Sequence, residues 1–403
     1  PGSVATAVGC GAPAESGTLW LSRQLGSGHT NAADRLTRNQ TMWPARKLCD
    51  LIGIDVPIVQ APMAGASGAA LAIAVSEAGG LGSLPCAMLS PQRARDEIML
   101  IKQATSKPLN VNFFCHQASA LDRARESAWL QLLQPYYAEM GLELPPAEGV
   151  SGRAPFSPQM CEVVEDARPQ VVSFHFGLPA QDLLLRVKAA GALVFSTATT
   201  VKEAQWLEAN GCDVVIAQGY EAGGHRGVFL NDAIDNQPGT LALVPQVADA
   251  VRIPVIAVGG IGDGRGIAAA FALGAVGVQM GTAYLLTPEA LISDLHRAAL
   301  STAADDATAL TNVFSGRPAR GLLNRVMREV GPMTDLAPPF PMAGAALAPL
   351  KAAAEALGRT DFTSLWAGQA AALAREMPAA DLTRQLADEA RQLCEGLASA
   401  PPR

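Results

Sequence analysis

Short, nearly continuous apolar runs recur between residues 57 and 280, each bounded by polar or glycine-containing turns. The runs at 57–61, 80–84, 109–113, 171–176, 193–197, 214–218, 254–258 and 277–280 lack the strict alternation of a half-exposed strand. They therefore predict parallel strands covered on both faces. Patterns of helical period follow most of them, at 66–78, 91–104, 179–190, 201–210 and 265–273, and Gly79, Gly191, Gly211 and Gly274 stand where helices end. Eight βα units between residue 57 and about residue 300 predict an α/β fold of the (β/α)8 barrel type, whose usual length is roughly 250 residues. A doubly wound open sheet would carry its glycine-rich turn after the first strand. That position here reads AGASG (64–68), a poor match, and the richer glycine turns come late in the chain.

Three segments fall outside this rhythm. Residues 115–170 are long for one connection and contain helical stretches, so they predict a helical cap inserted over the barrel mouth of a domain spanning 42–300. Residues 301–403 hold an arginine-rich turn, the stretch LAPPFP and two Ala/Leu-rich helices, and predict a C-terminal helical subdomain packing on the barrel. Residues 1–41 are rich in small and polar types without apolar periodicity and read as a disordered extension, with Met42 as the natural start. The run 267–286 carries no formal charge over twenty residues, yet Gly274, Gly277 and Gly281 break it. It reads as a helix, a turn and a buried strand rather than a membrane span.

Composition narrows the function classes. Hydrophobic residues make up 49% of the 403 and charged residues 17%, which suits a large buried core. The net charge of -7 and the lack of a basic run argue against nucleic-acid binding. The 7 cysteines are scattered and odd in number, the pattern of reduced thiols in a cytoplasm rather than of a disulfide framework. Neither the cysteines nor the histidines show metal-ligand spacing, so no metal is expected.

Candidate chemistry gathers where predicted strands end, the place barrels of this class put their active sites. The seventh strand ends in VGGIGDGRG, where Gly259, Gly260 and Gly262 let backbone N–H groups approach an anion at the following helix N-terminus. The eighth ends in QMGTAY, where Gly281 and Thr282 add an N–H and a hydroxyl. Together these adjacent turns form a phosphate signal. The sixth ends in QGYEAGGHRG, with Gly223 and Gly224 permitting close approach of a flat ring and His225 directly after them. His175 lies in SFHFG at the end of the fourth strand, facing either the ligand or the core. The carboxamides Gln60, Asn110, Asn112, Gln218 and Gln279 sit in apolar strands and need partners. They can bridge strands or bond the pyrimidine edge of a flavin.

Taken in order, IVQAPMAGAS, LNVNFF, VVSFHFGLP, QGYEAGGHRG, IAVGGIGDGRG and GVQMGTAYL resemble the nitronate monooxygenases of class I, as do the later NVFSGRPARGLLNR and SLWAGQ. The combination of SFHFG with EAGGHRG is the discriminating part. The resemblance implies an FMN-dependent barrel oxidising alkyl nitronates, propionate 3-nitronate among them, with O2 to a carbonyl compound and nitrite, a detoxifying role. It implies His225 as the base that takes the α-proton of a neutral nitroalkane and His175 as the residue beside the nitro group. It implies Gln60, Asn112, Gln218, Gly223, Gly224, Gly260, Gly281 and Thr282 as flavin contacts, beside which Gly259 and Gln279 are candidates by position. A cytoplasmic monomer or homodimer without membrane or nucleic-acid partners is expected. The alternatives on the same scaffold are an FMN-dependent enoyl-ACP reductase, an NAD(P)H:quinone reductase and a flavin-binding protein without catalysis.

Overall fold

The computed structural model describes residues 43–117, 122–145, 154–231 and 233–399. The expected N-terminal extension, Met42 and parts of the expected cap (118–121 and 146–153) lie outside the described residues.

All the predicted strands form, as β1 (Ile58–Gln60), β2 (Gly82–Pro85), β3 (Leu109–Phe114), β4 (Val171–His175), β5 (Leu193–Ala198), β6 (Val214–Gln218), β8 (Val255–Val258) and β9 (Gly277–Met280). They pair in parallel in an 8-stranded sheet of order β1-β9-β8-β6-β5-β4-β3-β2. The two ends meet through a parallel bridge between Val59 and Leu81, which makes the sheet a barrel. A separate 3-stranded antiparallel sheet joins β10 (Thr308–Thr311), β11 (Ala319–Leu322) and β7 (Gly224–His225), the last from the loop after β6. Observed ends differ from the sequence reading by a residue or two for local reasons. β4 stops at His175 because Phe176 (φ 70) and Gly177 (φ 91) turn the chain out of the extended region.

The helices are α1 (Lys47–Ile52), α2 (Ala69–Glu77), α3 (Pro91–Ala104), α4 (Arg123–Glu139), α5 (Pro158–Ala167), α6 (Gln181–Ala189) and α7 (Val201–Ala209), then α8 (Thr240–Ala250), α9 (Gly264–Ala272), α10 (Asp294–Ser301), α11 (Arg325–Val330), α12 (Ala348–Ala356) and α13 (Ala379–Ser399). Side-chain caps start many of them: Ser90, Ser157 and Thr200 each accept a backbone N–H of the first turn. Leu48 and Ile52 of α1 pack with Val59, Leu81, Val171, Phe195 and Ile256 at the N-terminal ends of the strands, closing that end of the barrel. Among the described residues no helix is long and apolar enough to cross a membrane, and 267–286 folds as the end of α9, a turn and β9.

The segment expected to be a cap divides in two. α5 sits in the outer ring between α3 and α6. α4 leaves the ring and packs against the C-terminal region: Trp129 donates from Nε1 to the Ala343 carbonyl (3.2 Å), and the Tyr137 hydroxyl donates to the Ala346 carbonyl (2.6 Å). These side chains share a core with Val313, Val326, Leu347, Leu350 and Phe362. The last helix, α13, returns to the barrel and packs between α9 and α2, where an eighth ring helix belongs. Leu382, Leu386 and Ala390 bury against Ile267, Ala270, Leu71 and Val75, and Thr383 meets the Tyr284 hydroxyl at 2.9 Å.

This placement separates two leucines of the same helix. Leu386 is 0% exposed and Leu397 is 69% exposed. Leu386→Ala is expected to cost about 2–5 kcal/mol through the cavity it leaves, and Leu397→Ala under about 0.5 kcal/mol. Urea unfolding of both variants measures this, and equal losses would refute the ring position of α13.

Candidate active site

A cavity of about 510 Å³ opens at the C-terminal ends of the barrel strands. It brings together most of the residues singled out in the sequence: Asn112, His175, Gln218, Gly223, Gly224, His225, Gly259, Gly260, Gln279, Gly281 and Thr282 all line it. Gln60 is not among the lining residues. It is 0% exposed, its Oε1 accepts the Ser83 N–H (2.9 Å) and its amide donates to the Ala61 carbonyl, so it ties β1 to β2 at the closing seam. Asn110 bridges in the same way, donating to Ser83 Oγ (2.9 Å).

His225 owes its place to the small sheet. β7 pairs with β11, His225 opposite Ala319 and Gly224 opposite Arg320. The carbonyl of His225 accepts from Gln218 Nε2 (3.0 Å) and from His175 Nε2 (3.2 Å), while Gln218 Oε1 accepts the Gly227 N–H (2.8 Å). A carbonyl only accepts, so His175 carries its proton on Nε2, and its Nδ1 accepts from the Thr197 hydroxyl (3.1 Å). Burial, opposed by the bond to the His225 carbonyl, lowers His175 to about 4 and keeps it neutral. The His225 ring lies among Phe340 (5.4 Å between centroids), Trp366 (5.5 Å), Phe176 (6.1 Å) and Phe114 (6.3 Å), and its Nε2 is 2.9 Å from Ser315 Oγ.

The glycine turns open the opposite wall. Gly259 (φ 116) and Gly260 (φ 68) hold left-handed backbone that side chains rarely adopt. A Cβ on Gly224 would meet no atom within 4 Å, so it would project into the space this residue lines. The first turn of α9 is a different matter from the sequence expectation. Asp263 accepts the Arg265 N–H (2.9 Å) and Glu389 of α13 accepts the Gly264 N–H (3.2 Å), so two carboxylates already occupy that helix N-terminus. Gly262 faces Leu373 and does not line the cavity. The Gly259–Gly260 and Gly281–Thr282 turns do line the cavity, and the Thr282 hydroxyl accepts the Gly368 N–H (2.9 Å). Among the described residues that line the cavity, Gln279 holds a buried carboxamide oxygen, Oε1, without a hydrogen-bond partner.

This barrel has counterparts among known proteins. The family model for nitronate monooxygenase matches residues 45–389. A nitronate monooxygenase of Pseudomonas aeruginosa is 48% identical over 344 residues, covering 85% of this chain and 98% of that protein. The chain belongs to the nitronate monooxygenase family. A second family member, from Paraburkholderia phytofirmans, is 45% identical over 87% of this chain and 97% of its own length. A solved nitroalkane oxidase from Streptomyces ansochromogenes superposes with a TM-score of 0.79 at 40% identity, covering 87% of this chain and 99% of that one.

Several residues at the site of this family member escaped the reading of strand ends. Trp366 and Ser364, which line the cavity, lie in SLWAGQ, and Ser315, which meets the His225 ring, lies in NVFSGRPARG, motifs visible in the sequence but far from the barrel strands. His296, which no strand-end motif singles out, lines the cavity; its ring donates to the Trp366 carbonyl and burial lowers it to about 4. Cysteine chemistry has no support: burial raises Cys49, Cys86 and Cys212 to about 12 and Cys115 well above its ordinary value.

His175 and His296 make stability pH-dependent. Both stay neutral in the fold down to about 4, whereas in the unfolded chain a histidine takes up its proton near 6.5. The unfolded state thus binds more protons between these values, and stability falls as pH drops from about 6.5 to about 4. The urea midpoint should decline across that window, and less steeply in His296→Gln. A midpoint flat with pH would refute the neutral assignment.

Proposed function

We propose that the protein is an FMN-dependent enzyme that oxidises alkyl nitronates, propionate 3-nitronate among them, with O2 to a carbonyl compound and nitrite. One observation carries this reading: His225 and the unpartnered carboxamide oxygen of Gln279 converge on one cavity walled by glycine turns. A flavin fits that donor set. Its pyrimidine N–H and ribityl hydroxyls are donors for Gln279 Oε1, the carboxamides of Asn112 and Gln218 line the same cavity, and the Gly259–Gly260 and Gly281–Thr282 turns suit its phosphate. When bound, the flavin supplies the electron acceptor and the centre that reacts with O2.

The chain's own residues do the rest. A nitronate is already ionised, so it needs orientation and exclusion of water more than acid–base help. Phe114, Met88 and Trp366 line the cavity beside the histidines and provide an apolar wall. A neutral nitroalkane needs a base, and a neutral imidazole at His225 is suited to remove its α-proton near pH 7. His175 faces the same cavity, on the nitro-group side in this reading, and its bond to the His225 carbonyl holds the base in place. The described cysteines are free thiols, which suits a cytoplasmic enzyme acting as a monomer or homodimer on a small substrate for detoxification.

His225→Asn should lower turnover of a neutral nitroalkane by roughly 10²–10⁴-fold, the usual weight of a general base, and lower turnover of the preformed nitronate far less. Equal losses on the two substrates would reject the base role. Anaerobic mixing of the holoenzyme with propionate 3-nitronate should bleach the flavin absorbance, with nitrite appearing when air is admitted. Bleaching by NADPH with no response to nitronate would move the assignment to the reductases that share the barrel.

A further inference from the structure

We propose that Gly368 is a positioning residue for the cofactor phosphate: its N–H engages the oxygen of the Thr282 hydroxyl and so commits the Thr282 proton to an anion held at the Gly281–Thr282 turn. This rests on the reading of the cavity as an FMN site and adds which group the phosphate meets there and what holds that group. Thr282 Oγ1 accepts the Gly368 N–H at 2.9 Å, and both residues line the cavity. A hydroxyl has one proton to give. No acceptor among the described residues takes the proton of Thr282. A phosphate oxygen only accepts, and a hydrogen bond to its charge is stronger than one between neutral groups.

Gly368 reaches this place from outside the barrel. Residues 365–367 run beside β11: the Leu322 N–H donates to the Leu365 carbonyl (2.8 Å), the Ala367 N–H to the Arg320 carbonyl (3.3 Å), and Gly321 pairs antiparallel with Trp366. The chain then meets the loop after β6, where the Gln369 N–H donates to the Glu221 carbonyl (3.0 Å). Contact there is backbone on backbone. A Cβ on Gly368 would stand 2.9 Å from the Glu221 carbonyl oxygen and 3.0 Å from the Gly223 nitrogen, and a Cβ on Gly223 would stand 2.5 Å from the Gly368 nitrogen. Glycine at both positions permits this approach. The Glu221 carboxylate in turn accepts the Thr240 N–H (2.8 Å), and the Thr240 hydroxyl lies 2.8 Å from the Gly259 carbonyl oxygen. One segment thereby ties the turns after β6 and β9 directly, and the turn after β8 through Glu221.

FMN and riboflavin differ in the phosphate, so titrating the deflavinated full-length chain with each, by quenching of flavin fluorescence, tests the proposal. Thr282→Val should raise the Kd for FMN at least about tenfold and that for riboflavin less than about threefold, and Thr282→Ser should restore FMN binding. Gly368→Ala should show the same selectivity, because its Cβ drives the N–H away from Thr282. In the Thr282→Val background it should add less than about twofold, because it acts through that hydroxyl. Equal weakening of the two flavins in Gly368→Ala, or a full penalty in the double variant, overturns the proposal. The Thr282 pair decides where Gly368→Ala does not fold: unchanged FMN affinity in Thr282→Val, or no recovery in Thr282→Ser, overturns it. A wild-type chain that binds neither flavin overturns the cofactor reading and this proposal together, whereas the other adverse outcomes leave that reading standing.

Discussion

The site depends on the antiparallel ladder between β7 and β11, which joins a two-residue strand in the loop after β6 to the C-terminal part of the chain. Without it Gly224 and His225 would sit on a long connection above the barrel, with backbone groups to satisfy at the edge of a cavity. The ladder takes up part of that demand. Gln218 supplies more, its carboxamide bonding the His225 carbonyl on one side and the Gly227 N–H on the other. A histidine on a loop thereby acquires the fixed geometry of a strand residue.

Two buried arginines complete the lock. Arg226 is fully buried and donates to the carbonyls of Gln218 and Gly219 and to Gln237 Oε1. Arg320, on β11, donates to the Tyr220 carbonyl and the Thr308 hydroxyl. Neither forms a salt bridge among the described residues. Burial and the neighbouring Arg320 lower Arg226 to about 10, so it remains charged near neutrality; the bonded carbonyl dipoles and the nearby carboxylates of Glu221 and Glu203 offset part of that cost. Glu221, in the same loop, caps the N-terminus of α8 through Thr240 (2.8 Å) and adds no direct bond to either arginine. The loop is thus held by its backbone, which leaves the side chain of His225 turned to the cavity.

The accessory region earns its size by reaching three places at once. Through α4 and the core around Trp129 and Phe362 it builds a second layer; through Trp366 and Ser315 it reaches His225; through α13 it closes the ring beside α9 and α2.

Strands, ring helices and the turns that carry His225, His175 and the glycines were legible in the sequence, because parallel strands buried on both faces leave unbroken apolar runs and because glycine marks the turns between them. The helices that close at Gly79, Gly191, Gly211 and Gly274 do so with positive φ at each, as that pattern implies. Contacts between distant segments left no such periodic trace. Nothing local distinguishes Gln60, which bonds Ser83 across the barrel seam, from Gln279, whose oxygen is left open at the cavity. Nothing near 263–264 announces that Glu389 will cap that helix in place of a bound anion. The sequence by itself determined the barrel and which strand ends bear chemistry, since both follow from local propensity and hydrophobic period. Only the tertiary structure decided which carboxamides serve the scaffold, how His225 is held and which residue faces its Nε2. Those outcomes depend on partners that can lie 90 or more positions away in the chain, and such partners are chosen by packing.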